Sequence, residues 1–352
     1  MAIGTGVGAA ETAPVTATAV SARRFRFPRS PKIIIGLVLL GIFVLMAIFG
    51  SVLAPHDPSA HLNSTVGIPQ PPSAKNLLGT TQTQQDILSQ LLVGARSTLV
   101  VSFLAGVVAT VLSIVIGVSA GYFGGWVDDV LSTLINVALV LPALPLLIVL
   151  AGFLSSSASA DDLLVALIIS LTGWAWGARV LRVQTLTLRS RDFVDSARII
   201  GERAWRIVVF EILPSLVPIV ASSFLFTVIY AIGTYTSLAF LGLISATHWS
   251  WGTMLFWAQE SSAAQSHEWW WFIPPGLAVA LLGTSLALLN FGIDEFINPR
   301  LRAAGLSRKV ARKAGVPRRF VLGMTPVAAS GRPGAGRART MAGVAAGPGA
   351  GQ

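Results

Sequence analysis

The sequence predicts an all-α membrane protein with six transmembrane helices and both termini in the cytoplasm. Three observations carry that reading. Of 352 residues 53% are hydrophobic and 11% charged, against about a quarter charged in a soluble domain, and the mean hydropathy is +0.72. The apolar residues gather into six runs free of ionisable side chains. About twenty such residues cross a bilayer core as a helix, where backbone groups must be satisfied within the segment. Finally, 23 of the 25 Lys and Arg residues fall on one side if six spans alternate, and the basic side is the cytoplasmic one.

Taken in order, residues 1–32 are rich in Ala, Gly and Thr and end in Arg23, Arg24, Arg26, Arg29 and Lys32, predicting a disordered basic N-terminus. The first span is Ile33–Leu53. Its long leader and full-length apolar run fit an uncleaved anchor better than a secretory signal. Residues 54–98 are predicted as an external loop carrying an interfacial helix. The core, 99–302, holds the other five spans: Leu99–Gly121, Val130–Leu154, Leu163–Ala178, Leu216–Ala239 and Trp271–Phe291. Pro142 and Pro145 are expected to bend the third of the six. A basic tail, 303–352, reads as disordered. Between the last two spans Trp249, Trp251, Trp257 and Trp269-Trp270-Trp271 suggest an aromatic belt at the membrane interface in preference to a substrate contact.

Several functions are excluded. No cysteine is present, so there is no disulfide framework or thiol chemistry. No phosphate-binding G-x-x-x-x-G-K-[ST] loop occurs, so a nucleotide-driven process needs a separate ATPase. The spans hold no acid, His or Arg at mid-depth to bind a coupling ion, which disfavours a proton-driven carrier. His56, His61, His248 and His267 lie in outer loops without a metal-binding motif, so neither metal nor cofactor is predicted. Asp128 and Asp129 read as first-turn acids at the positive end of a helix. The net charge of +10 expresses sidedness and attraction to anionic lipid. Nucleic acid is not a predicted partner, since no aromatics interleave a basic patch.

The segment 189–214 is too polar to span and too apolar for a solvated linker. Phe193, Ala197 and Ile200 recur at helical spacing, as do Ala204, Ile207 and Val208. Gly201 separates them, predicting helix, tight turn, helix, with Pro214 marking the start of the fifth span. Such a short amphipathic helix can lie on lipid or dock into a groove of another protein. Small residues at Ser196, Ala197 and Gly201 would allow a partner backbone close.

Here the residues carry a resemblance. Asp195-Ser196-Ala197, Gly201 three residues on, and Ile212-Leu213-Pro214 resemble the EAA loop of ABC-importer permeases: E-A-A, three residues, G, nine residues, I-x-L-P. Asp195 stands for Glu, Ser196 for the first Ala, and the isoleucine sits one place late. Other stretches resemble the C-type permeases of the dipeptide, oligopeptide and nickel branch. These are Leu78-Gly79-Thr80 with Asp86-Ile87-Leu88-Ser89 and Gly94-Ala95-Arg96, Gly121-Tyr122-Phe123-Gly124-Gly125 to Asp128, Trp174 with Arg179 and Arg182, Leu238 to Leu243, and Asn290 to Arg300. Gln84-Gln85 replaces a Gly-Arg of the pattern, and Gln90 an Arg.

The resemblance implies a type I (MetI-like) permease fold in the prokaryotic inner (plasma) membrane and a non-catalytic role in peptide import by alternating access. It also implies partners: a paralogous permease forming a heterodimer, two ATP-binding-cassette ATPase subunits and an external substrate-binding protein. Asp195, Ser196, Ala197, Arg198, Gly201, Leu213 and Pro214 would form the ATPase-coupling site. A stand-alone secondary transporter or channel is the alternative, distinguished by transport without any ATPase.

Overall fold

The computed structural model describes residues 31–62, 68–154, 162–244 and 248–297, and every regular element among them is a helix. The predicted terminal segments lie outside these residues, except that Pro31 and Lys32 open the first helix. In chain order the helices are α1 (Pro31–Leu53), α2 (Ile87–Phe123), α3 (Gly125–Val140), α4 (Ala143–Leu154), α5 (Asp162–Arg189) and α6 (Asp192–Ile199). Then come α7 (Ala204–Arg206), a π-helical turn (Ile207–Ile212), α8 (Leu213–Phe240), α9 (Trp251–Glu260) and α10 (Trp269–Ile297). Among the described residues five helical runs are long and apolar enough to cross a bilayer, and six spans result if the bent pair α3–α4 counts as one.

That pair revises the predicted third span. Its two helices meet at 84°, with Leu141 and Pro142 at the break. Pro142 has no N–H to continue the α3 ladder. Pro145 falls in the first turn of α4, where a missing donor costs nothing.

Two helices outrun their apolar stretches. α2 has 37 residues, roughly 55 Å at 1.5 Å per residue, well beyond a bilayer core. The end of the predicted outer loop is therefore the beginning of this helix, whose polar Ser89, Gln90 and Arg96 hid it from a hydropathy reading. Asp86 starts it, its carboxylate accepting from the Ser89 N–H at 2.9 Å and hydroxyl at 2.6 Å. Just upstream, Gln84 takes a left-handed backbone with φ 61°, at the position where the resemblance has glycine. α5 likewise continues past Ala178 through Arg179 and Arg182 to Arg189.

Helix packing rests on small residues. Ser113, Gly117 and Gly121 of α2 face Trp174, Gly177, Ala178 and Arg182 of α5. A Cβ at Gly117 would collide with the Ala178 carbonyl, and one at Gly121 would lie 2.7 Å from the Arg182 carbonyl. Such backbone approach is the usual basis of helix association in lipid. α1 packs on α10 at Gly36, where an added Cβ would lie 3.0 Å from the Ser285 carbonyl, and on α2 at Gly50.

The tryptophans between α8 and the start of α10 divide. Trp251 and Trp271 are buried in one apolar cluster with Phe43, Met254 and Leu282, and the Trp251 indole donates to the Leu91 carbonyl at 3.0 Å. They belong to the interior and not to an interface belt, whereas Trp269 is 54% exposed. Trp249 donates to the Ser59 hydroxyl at 3.1 Å, tying the α1–α2 and α8–α9 connections together.

Candidate functional site: the segment 189–214

α5 ends at Arg189, and the chain turns through Ser190 into α6, with Arg191 at its N-cap. The Arg191 carbonyl accepts from Val194 at 2.9 Å and Asp195 at 3.1 Å. α6 is fastened by one stripe. Val194 is fully buried and Ala197 half-buried against Val118, Tyr122, Leu181, Ile207, Ile212 and Leu216. The stripe is centred between Val194 and Ala197, about a sixth of a turn from the line predicted through Phe193, Ala197 and Ile200 at 100° per residue. Phe193 is therefore 41% exposed and Ile200 79%, with Ile199 at 86%. Asp192, Asp195 and Ser196 share the outward side.

The predicted site residues are not equivalent. The Ser196 hydroxyl turns back onto the Asp192 carbonyl at 2.7 Å. Asp195 faces outward and meets Arg198 at 3.3 Å, while the Arg198 guanidinium also lies over the Tyr122 ring at 5.4 Å. Gly201 has open space around it, so close approach within this chain is not its role. Its φ of 86° is the reason for glycine. The Gly201 N–H donates to the Arg198 carbonyl at 3.0 Å and the Glu202 N–H to the Ala197 carbonyl at 3.1 Å. These two bonds satisfy the end of α6 with a left-handed residue after it.

Beyond the turn, Ala204–Phe240 is one helical run, so Pro214 does not begin the helix. It follows the π-helical turn, in which the Leu213 N–H bonds the Val208 carbonyl five residues back. A proline cannot donate to the carbonyl four residues earlier, and the wider turn absorbs that loss at Leu213-Pro214. Between α6 and this turn a cleft of about 180 Å³ is lined by Ala197, Glu202, Arg206, Ile207, Phe210 and Glu211. Arg206 pairs with Glu202 across it at 3.2 Å.

Chemically the segment is a fastened helix with an apolar and acidic outer face. Among the described residues no group of three or more His, Cys, Asp or Glu could hold a metal. Sequence reading missed the exposure of Ile199 and placed Ile200 on the inward line. It also missed a two-pronged ion pair between Asp128 and Arg182, which are 54 positions apart and share no local pattern.

Comparison with known proteins agrees with the architecture. Residues 113–303 match the family described as binding-protein-dependent transport system inner membrane component. Residues 21–75 match the N-terminal transmembrane domain of oligopeptide transport permease C. A putative peptide transport system permease protein of Brucella suis is 31% identical over 289 residues, covering 81% of this chain and 93% of the relative. The oligopeptide transport system permease protein OppC of Mycobacterium tuberculosis is 30% identical over 235 residues, 66% of this chain and 79% of its own. The dipeptide transport system permease protein DppC of Bacillus subtilis is 29% identical over 280 residues, 79% and 84% respectively. With several spans, a family match over more than half its length and a helix offered at the end of α5, the chain belongs to the binding-protein-dependent transport system inner membrane components, the non-catalytic permease subunits of ABC importers.

Proposed function

We propose that this permease carries short peptides of the dipeptide and oligopeptide class, and that α6 with the Gly201 turn is the face on which a separate ATPase docks. The cargo reading is supported by the names of the relatives, all peptide permeases. The docking reading is carried by one observation: Ile199 and Ile200 are 86% and 79% exposed at the end of a helix that is fastened on its other side by the buried Val194. A fastened helix with an uncovered apolar edge suits a groove in a partner.

Asp195 and Ser196 are the polar contacts of this face. Ala197 and Arg198 hold the helix to the permease body, Gly201 sets the turn, and Leu213 and Pro214 fix where the next helix departs. The face is cytoplasmic, as the clustering of basic residues implies. A paralogous permease completes the translocation path, an external binding protein delivers cargo, and one ATPase grips each permease. Closure of the ATPase pair moves α6 and flips the path from inward- to outward-facing. Reversing such an equilibrium from about 1:99 to 99:1 takes roughly 5 kcal/mol of differential binding, which a packed helix can transmit and a slack loop cannot.

The test is co-expression with the two ATPases, the second permease and the binding protein, followed by affinity purification and ATP-dependent uptake across a peptide panel. ATPases should co-purify with the native chain and be lost from Ile199→Asp together with Ile200→Asp. Retention of the ATPases by that double variant would remove the docking assignment. Uptake driven by an ion gradient without ATPase would favour the secondary-transporter reading.

A further inference from the structure

The polar pair that docking leaves unused lies at the foot of α3. Asp128 accepts from Arg182 of α5 twice, from Nε at 2.6 Å and Nη2 at 2.8 Å, and from the Ser132 hydroxyl at 2.7 Å. Asp128 is 17% exposed and Arg182 28%, so the pair is two-pronged and shielded, the geometry in which such bonds are strong. Further along α3, Asn136 accepts from Arg179 at 2.7 Å. α3 depends on these clasps, because Ile135 is its single buried residue.

The same foot borders the docking helix. Tyr122, near the end of α2, is buried in one apolar cluster with Val194 of α6 and carries Arg198 over its ring. Its carbonyl accepts from Arg189 at 3.2 Å. Two residues on, Gly124 and Gly125 both have positive φ, 67° and 53°, a backbone that glycine alone enters freely. Tyr122 thus touches α6 on one side and leads directly into the two-glycine junction from which α3 departs.

We infer that Tyr122 and the Asp128–Arg182 pair form a joint that passes movement of α6 to α3, with Asp128 and Arg182 as positioning residues for transport. The inference rests on the docking reading of α6. A load on α6 reaches Tyr122 through the packed Val194 and Arg198. The glycine junction lets α3 rotate, and the ion pair makes it rotate with α5. Since α3 leads into the 84° break before α4, a rotation at its foot redirects the whole broken span.

The experiment uses the complete importer in vesicles. The chain has no native cysteine, so Trp126→Cys, at a position 77% exposed on α3, accepts a spin label without a competing site in this subunit. Its mobility is compared between nucleotide-free and vanadate-trapped states, alone and combined with Asp128→Asn or Arg182→Gln. We expect the label to respond to trapping in the parent, and the response to vanish in either variant while the ATPases still co-purify. Uptake per ATP should fall about threefold to tenfold, and the exchanged pair Asp128→Arg with Arg182→Asp should recover some of it. An unresponsive label in the parent, or an unchanged response and unchanged uptake per ATP in both variants, would overturn the joint. If the neutral variants fail to accumulate, Arg182→Lys, which keeps the charge and loses the two-pronged geometry, decides by the same readouts. Loss of the ATPases from the parent importer would instead sink the docking reading itself.

Discussion

The Ser113 hydroxyl on α2 shares its one proton between the Trp174 carbonyl on α5, at 2.6 Å, and the Ala109 carbonyl of its own helix, at 2.8 Å. This bond clasps a seam in which Gly117 and Gly121 leave no room for a methyl group. The seam orders the cost of substitutions. Ser113→Ala removes one interhelical hydrogen bond and should cost about 1 kcal/mol. Gly117→Leu must force the α2 and α5 backbones apart and should cost about 3 kcal/mol or more. Thermal unfolding of the detergent-solubilised protein measures both, and equal effects would contradict the packing described.

Gly201 offers a conformational test. A side chain with a Cβ in the left-handed region costs about 1–2 kcal/mol, with asparagine the mildest. Gly201→Val should insert normally yet lose most uptake, because the end of α6 can no longer close with its two capping bonds, whereas Gly201→Asn should keep much of it. Membrane abundance and uptake are measured side by side. Full uptake by Gly201→Val would end the role given to this turn.

Glu268, just before α10, supplies a pH dependence. Burial raises its carboxyl above the ordinary 4.5, and its Oε2 has no hydrogen-bond partner among the described residues. The neutral form is therefore the one the fold favours. Below pH 4.5 the group is protonated in both folded and unfolded chains and costs nothing. As pH rises past that value the unfolded chain releases its proton first, and stability falls until the folded carboxyl ionises too. Glu268→Gln should remove this component, so its Tm should decline less than that of the native chain from about pH 4 to pH 8. Parallel curves would show that the burial has no energetic consequence.

The tryptophans give a contrast between interior and surface. Trp251 is fully buried, with its ring centroid 5.5 Å from that of Phe43. Trp251→Ala should destabilise by about 3–5 kcal/mol. Trp269→Ala, at an exposed ring, should stay within about 1 kcal/mol. Denaturation in detergent checks the pair, and similar losses would return both residues to one belt.

Much of the architecture was legible in residue order because lipid imposes a simple demand. A helix crossing it must be apolar for about twenty residues, so the six apolar runs and a bend of the third at its prolines followed from hydropathy and proline chemistry. What hydropathy misplaced were helix ends, since α2 and α5 continue as helices after their apolar runs stop. The segment 189–214 was visible through Gly201 and its flanking helical spacing, yet its inward face was misplaced. On a helix as short as α6 a small shift of phase exchanges buried and exposed residues.

The sequence by itself determined the membrane setting, the number of apolar runs, the absence of catalytic and phosphate-binding motifs, and the helix–turn–helix at 192–206. Those are consequences of composition and of neighbours along the chain. Only the tertiary structure decided that Val194 points inward while Ile199 and Ile200 are left uncovered, that Trp251 is core, and that Asp128 meets Arg182. Each of these depends on which helices lie side by side. That choice is made by steric fit at Gly117, Gly121 and Gly36 between segments far apart in the chain, and no local pattern encodes it.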